Sequence, residues 1–402
     1  MKILHSSDWH LGKSLCTKAD RHTEHRAFFD WLLNNINEQN IELLIVAGDI
    51  FDTSAPSIQS QKMYYDFLVK VRNTSCRKVI VVGGNHDSAS FLNAPKDILA
   101  ALDVTVVGAI DEQTEDEIIV VNDADGKPAL IVCAVPFLRE RDVSRFVEGE
   151  AYSDRSKRVN ESIRRHYEKI AALAVQKREE IGRNIPIIAT GHMSVGIKSE
   201  GDEEVRDTYI GNIEAVSTDI FPATFDYVAL GHYHIASAPK PHIRYCGSPI
   251  PMGFGEAGQT KLVYILEFNP DLKIKSLEIP VFQQLESIKG DKEIIKKRIE
   301  ELKANDSSIW IEVTYNGSDS FPNLVEWLDE LTAQSKIEVL KKQTAFNLQV
   351  YLTSDDTTYS LDELSPELVF EKLLEKKGYS DEHKEELRQT YNEIISGINI
   401  EA

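Results

Sequence analysis

Seven residues of this chain have the types and spacing of metal ligands: Asp8 and His10, Asp49, Asn85, His192, then His232 and His234. Residues i and i+2 of an extended segment point to the same side, so Asp8 and His10 can grip one ion together. By the same geometry His232 and His234 lie side by side and can serve two adjacent ions. Asp49 has two carboxylate oxygens and can bridge the pair. Four imidazoles, two carboxylates and one amide suit Mn²⁺, Fe²⁺ or Zn²⁺ better than Mg²⁺, which prefers oxygen and retained waters. Two divalent ions outweigh the two carboxylates, leaving a net charge of about +2 that suits a phosphate group. Two ions roughly 3.5–4 Å apart can clamp the attacking and leaving oxygens of an in-line phosphoryl displacement. His86 is then the candidate general acid or transition-state donor, with Asp87 beside it as a possible orienting carboxylate.

Each cluster ends a short apolar run. These are Lys2-Ile3-Leu4-His5-Ser6-Ser7-Asp8-Trp9-His10, Leu43-Leu44-Ile45-Val46-Ala47-Gly48-Asp49 and Val79-Ile80-Val81-Val82-Gly83-Gly84-Asn85-His86-Asp87. Ile187-Ile188-Ala189-Thr190-Gly191-His192 and Tyr227-Val228-Ala229-Leu230-Gly231-His232-Tyr233-His234 follow. Such runs read as buried strands, and open α/β sheets place their sites just beyond strand C-termini. Glycines before Asp49, Asn85, His192 and His232 let the backbone turn sharply. A lone Asp-x-His or Gly-His is a weak sign, since capping or core histidines are common. Gly-Asn-His-Asp after a strand is stronger, and all five in this order read as a binuclear metal centre. His5, His22, His25, His166, His242 and His383 fit none of these positions and read as structural or exposed.

The order D-x-H, G-D, G-N-H-D, G-H, G-H-x-H resembles the calcineurin-like metallophosphoesterases. Ser7-Asp8-Trp9-His10-Leu11-Gly12-Lys13, Gly48-Asp49-Ile50-Phe51-Asp52, Val135-Pro136-Phe137-Leu138-Arg139 and Tyr245-Cys246-Gly247-Ser248-Pro249 are similar to the DNA nucleases of that family. The likeness is strong over about residues 1–280. It implies that Asp8, His10, Asp49 and His234 hold one metal, that Asp49, Asn85, His192 and His232 hold the second, and that His86 is catalytic. Some relatives carry a histidine where this chain has Asp52. It further implies an Mn²⁺-dependent double-strand exonuclease and single-strand or hairpin endonuclease. Such an enzyme acts on DNA with an SbcC-type coiled-coil ATPase, as a homodimer within a heterotetramer. The alternative is a stand-alone phosphatase or cyclic-nucleotide phosphodiesterase.

Helical patterning over 22–39, 57–72, 88–102 and 155–183 predicts helices packed on the sheets. Further strands near 104–107, 117–121, 129–135, 243–246, 261–268 and 273–279 complete an α/β, two-sheet sandwich flanked by helices. Asp123-Ala124-Asp125-Gly126-Lys127 reads as a hairpin turn. After Pro280 come a Lys289–Ala304 helix, a Ser308–Tyr315 strand, an Asn323–Gln334 helix and a Lys336–Leu340 strand, a small α+β capping domain. The domains are thus 1–280, 281–360 and a C-terminal helical, partner-binding tail at 361–402. Helix 57–72 carries Met63, Tyr64, Phe67, Leu68 and Val71, more apolar surface than one stripe requires. With helix 88–102 it is expected to form a twofold contact between two copies.

At 402 residues, 42% of them hydrophobic, the chain can bury a large core. Met1 leads directly into a strand, and no apolar run approaches the ~20 residues of a membrane span. Four separated cysteines, Cys16, Cys76, Cys133 and Cys246, read as free thiols of a cytoplasmic protein with no membrane contact. The net charge of −20 is unusual for a DNA enzyme. Residues 281–402 hold 14 Lys/Arg against 25 Asp/Glu, so much of the excess lies outside the nuclease region. Lys13, Lys18, Arg21 and Arg26 form one candidate phosphate-contacting rim. Arg139, Arg141, Arg145, Arg155, Lys157, Arg158, Arg164 and Arg165 form another.

Overall fold

The computed structural model describes residues 1–110, 113–144, 149–196, 216–269, 271–317 and 321–344, with Phe370, Lys384, Leu387, Arg388 and Thr390 beyond them. The expected tail helices over 361–402 lie almost wholly outside the described residues. Met1–Thr344 form one compact unit, and Ala345–Ala402 are a second.

Two six-stranded sheets make the centre of the first unit. One runs Leu272–Glu278, Leu262–Phe268, Lys2–Ser6, Leu43–Ala47, Lys78–Val82, Val104–Val107 in spatial order. The other runs Ser237–Lys240, Ile243–Tyr245, Tyr227–Gly231, Ile187–His192, Pro128–Cys133, Ile118–Asn122. The inner strands are parallel, with Leu4 opposite Leu44, Leu44 opposite Val79, and Ala229 opposite Thr190. Leu43–Ala47 is buried at every position because both of its faces are covered, which is why its sequence is a continuous apolar run. Ile3, Ile45, Ile80, Ile188 and Ala229 meet between the sheets. On the outer faces, helices His22–Glu38 and Ile58–Val71 cover the first sheet, and Tyr152–Ile181 covers the second. The latter buries Val159, Ile163, Tyr167, Ile170 and Ala174 at helical spacing. This is the expected helix-flanked α/β sandwich, with all five motif-bearing strands in its sheets.

Two expectations are corrected. The 88–102 helix is two short ones, Ala89–Asn93 and Lys96–Ala100. Pro95 lies between them at φ −91° and ψ 9°, outside helical backbone, and its missing N–H cannot continue the hydrogen bonds of the first helix. The apolar face of Ile58–Val71 is not surplus either. Met63, Tyr64, Phe67, Leu68 and Val71 are all buried within their own protomer. Phe67 stacks on Phe29 at 4.3 Å between centroids and meets Trp9 edge-on at 5.3 Å.

Beyond Pro280 the chain alternates strand and helix: Gln284–Gly290, Lys292–Lys303, Ile309–Tyr315, Leu324–Thr332, Ile337–Thr344. The strands form a parallel three-stranded sheet, so this unit is βαβαβ with one strand more than expected. Leu285 and Leu340 pack with Leu15, Ala19 and Phe254. The unit thereby rests on the loop after the first motif and on the turn near Glu256.

Candidate metal centre

The loops leaving strands Lys2–Ser6 and Leu43–Ala47 are braced against each other by backbone bonds. Asp8 N–H donates to Gly48 O at 3.0 Å, and His10 N–H donates to Asp49 O at 3.0 Å. This bracing holds Asp8, His10 and Asp49 at φ of 51°, 45° and 50°, and His232 sits at 98°. Left-handed backbone costs a non-glycine residue roughly 1–3 kcal/mol and persists only where its surroundings over-determine it. Four of the seven ligand candidates sit there. Glycine is required at two neighbouring points. A Cβ on Gly48, itself at φ 91°, would enter the His192 ring, and one on Gly84 would strike the Asp49 carboxylate.

The seven residues converge at the C-terminal rims of both sheets. His10 Nε2 lies 3.1 Å from His234 Nε2 and 3.5 Å from Asp49 Oδ2. His192 Nε2 lies 3.1 Å from Asp49 Oδ2 and 3.0 Å from Asn85 Oδ1, and His232 Nδ1 is also 3.0 Å from Asn85 Oδ1. Asp8, His10 and His234 form one close donor group, Asp8, Asp49 and His192 form another, and His10, Asp49 and His86 form a third. His232 N–H donates to Asp8 Oδ1 at 2.9 Å, tying the two sheets together. His86 N–H donates to Asp49 Oδ1 at 2.9 Å.

This donor set fits cations. His192 Nδ1 donates to Ala47 O at 2.9 Å, which turns the lone pair of a neutral Nε2 toward two oxygens. Burial alone lowers the His192 pKa, yet Asp49 beside it raises the value to about 9, so a positive charge is favoured at that point. Burial also acts to raise Asp49, but His192 and His10 hold it well below the usual carboxylate range. Burial, with His192 nearby, lowers His232 to about 3, and burial likewise lowers His10. His10, His232 and the ionised Asp49 are thus in the state that ligates. His192 would release a proton on binding a cation, as would His234, whose pKa burial lowers but Glu256 raises overall.

His86 borders the site, its ring 4.9 Å from that of His10, and is half-buried. Its Nδ1 donates to the backbone oxygen of Asp52 at 2.9 Å, which leaves Nε2 uncommitted there. Asp87 does not orient it, contrary to expectation. The Asp87 carboxylate accepts from Gly84 N–H at 2.9 Å, Ile50 N–H at 3.1 Å and Phe51 N–H at 3.0 Å. Its side chain is thus spent on holding two loops. The Asp52 side chain stands 3.5 Å from His10 Nδ1 and 3.4 Å from Lys13 Nζ.

The expected basic rims are largely neutralised. Arg155 and Arg158 pair with Glu140, Arg158 also with Glu150, and Arg164 and Arg165 with Glu161. Arg21 is buried against Glu24, and Arg145 lies outside the described residues. Two cations of these groups do reach the site's loops: Lys13, 29% exposed, stands 3.4 Å from Asp52, and Arg139 donates to Asp87 O at 3.3 Å. Of the remaining histidines, His5 meets the Tyr227 hydroxyl at 3.0 Å, His25 is buried, and His166 pairs with Glu117 at 2.9 Å. Sequence reasoning missed three groups around the ligands. The Ala47 and Asp52 carbonyls carry no side-chain signal, and Glu256, whose Oε1 lies 3.1 Å from His234 Nδ1, is remote in sequence.

Calcineurin-like phosphoesterases match residues 1–236, and the type 5 capsule protein repressor C-terminal domain matches residues 281–378. The chain is 33% identical over 401 residues to SbcD of the nuclease SbcCD from Escherichia coli (strain K12), covering 98% of each chain. The protein of the same name from Rhodobacter capsulatus is 32% identical over 289 residues, 70% of this chain and 69% of the relative. That from Bacillus subtilis (strain 168) is 29% identical over 274 residues, 67% of each.

Proposed function

The chain belongs to the calcineurin-like phosphoesterases and, within them, to the SbcD family of nucleases, and from that premise we propose a metal-dependent DNA nuclease working with an SbcC-type ATPase. The observation that carries the reading is the convergence of Asp8, His10, Asp49, Asn85, His192, His232 and His234, with nitrogen and oxygen donors turned toward one another. In this reading Asp8, His10, Asp49 and His234 hold one ion, Asp49, Asn85, His192 and His232 hold the other, and both ions are Mn²⁺. Bound there, two divalent ions supply an activated water and offset the negative charge of a phosphodiester. His86, its Nδ1 tied to Asp52 O, presents Nε2 to give or take a proton at a substrate oxygen. Asp87 serves by keeping the His86 loop against the Asp49 loop.

Residues 281–360 act as a cap, and 361–402 bind the coiled-coil base of the ATPase. Two copies pair within a heterotetramer, and the exposed Ile58, Val69 and Ile98 are the apolar side chains available on helices Ile58–Val71 and Lys96–Ala100. The cytoplasm is its place: among the described residues no cysteine forms a disulfide, as in a reducing compartment. Among the described residues no helix is long and apolar enough to cross a membrane.

The test is cleavage of hairpin and double-stranded DNA by the purified chain in Mn²⁺, with and without an SbcC-type partner and with EDTA as control. Metal-dependent cutting that the partner stimulates supports the reading. Hydrolysis of phosphomonoesters or cyclic nucleotides without any DNA cleavage would overturn it.

A further inference from the structure

The segment Tyr245-Cys246-Gly247-Ser248-Pro249 supplies no metal ligand, yet it wraps the back of His234. Gly247 sits at φ 80°, and a Cβ there would come within 2.5 Å of His234 O. That approach lets Ser248 N–H donate to His234 O at 3.1 Å. Lys261 Nζ donates to the same oxygen at 3.0 Å and to Ser248 Oγ at 3.1 Å. Behind the ring, Glu256 Oε1 lies 3.1 Å from His234 Nδ1. Its Oε2 pairs with Lys261 and accepts Met252 N–H at 3.1 Å. Glu256 is 3% exposed and Lys261 6%.

A buried ion pair is weak as a stabilising device, because desolvation offsets most of its attraction and apolar replacements are often neutral. This one sits directly behind the ring of a candidate metal ligand. A carboxylate on Nδ1 fixes the proton there, turns the Nε2 lone pair inward and makes that nitrogen a stronger donor. His192 has only a backbone carbonyl at the equivalent place. Lys261 balances the added charge and, through His234 O, also fixes the main chain.

We propose that Glu256, held by Lys261 and Ser248, is a positioning residue that sets the tautomer and orientation of His234 and so governs the affinity of one of the two metal sites. This rests on the metal-centre reading above, specifically on the ion assigned to Asp8, His10, Asp49 and His234.

The test is calorimetric titration of the EDTA-stripped full chain with Mn²⁺, beside the melting temperature of the metal-free protein. Two variants are used. Glu256→Asp keeps the charge but shortens the reach, while Glu256→Leu combined with Lys261→Met removes both charges together. Wild type takes up two equivalents. Each variant is expected to bind one equivalent as wild type does and the other about 10–100-fold more weakly. A purely structural role would instead weaken both equivalents together or lower the metal-free melting temperature with affinities intact, and either result overturns the proposal. Two unchanged equivalents in both variants would overturn it too, with the metal reading left standing. No uptake by wild type would remove the metal reading itself, and this proposal with it.

Discussion

Asp49 and Asp87 lock each other's loops. Asp49 Oδ1 takes the His86 N–H at 2.9 Å, and the Asp87 carboxylate takes the N–H groups of Ile50 and Phe51. Each carboxylate thus caps the loop that carries the other. Burial, together with the charge of Asp49, raises the Asp87 pKa to about 6 despite its three amide donors. Asp87→Ala should leave those three amides unpaired, at about 3 kcal/mol or more in total. Asp87→Asn retains one accepting oxygen and should cost less. Urea unfolding in EDTA measures both, and wild-type stability of the alanine variant would remove the loop-locking role.

Asp49 and His86 should separate when mutated. Asp49→Asn removes the ionised carboxylate that the proposed assignment gives to both ions and should abolish metal uptake and DNA cleavage. His86→Ala leaves all seven ligand candidates in place. It should bind metal as wild type does while turnover falls by about 10²–10⁴-fold. Metal analysis of both variants decides this, and loss of both ions from His86→Ala would make His86 a ligand instead.

The site was readable because its residue types are uncommon after apolar strands, and because glycines such as Gly48 and Gly84 mark where backbone and side chain must pass closely. The two-sheet sandwich followed from the same strands, whereas their spatial order within each sheet did not. What escaped notice acts through groups without a local signature. Glu256 lies 22 residues from His234, and its residue type is common on any surface. Asp52 acts through a carbonyl, which every residue possesses. Strand Gln284–Gly290 was missed because Leu285 and Ile288 are its only apolar side chains. The break at Pro95 was visible but lost to the helical period around it.

Phe67 and Ile98 should respond in opposite ways to a glutamate. Phe67 is 1% exposed between Trp9 and Phe29, so Phe67→Glu buries an unpaired charge at several kcal/mol. Circular dichroism should show unfolding rather than a folded monomer. Ile98 is 74% exposed, and Ile98→Glu should leave the fold intact. Light scattering on that variant tests the dimer: a monomer beside a dimeric wild type supports the contact, and an unchanged dimer places it elsewhere.

Truncation before Ser365 removes most of the tail while leaving every site residue present. Hydrolysis of a small phosphodiester in Mn²⁺ should stay within about twofold of wild type, whereas binding of the ATPase partner should be lost. Size-exclusion chromatography of the mixed proteins reads the second effect. Co-elution of the truncated chain would place the partner surface outside the tail.

His5 should make the fold acid-sensitive below neutrality. It is fully buried between Tyr227 and Tyr264, and burial lowers its pKa from 6.5 to about 3. Between those values the unfolded chain holds a proton that the folded one excludes. His5 therefore costs no stability above pH 6.5, and stability falls as the pH drops toward 3. The slope is about 1.4 kcal/mol per pH unit, or about 2 kcal/mol by pH 5. His5→Asn removes the titrating ring, and any packing loss it causes is the same at both pH values. Urea unfolding of metal-free wild type and variant at pH 7 and pH 5 isolates the difference. Wild type should lose about 2 kcal/mol more than the variant over that interval, and equal losses would mean that His5 takes up its proton in the folded state.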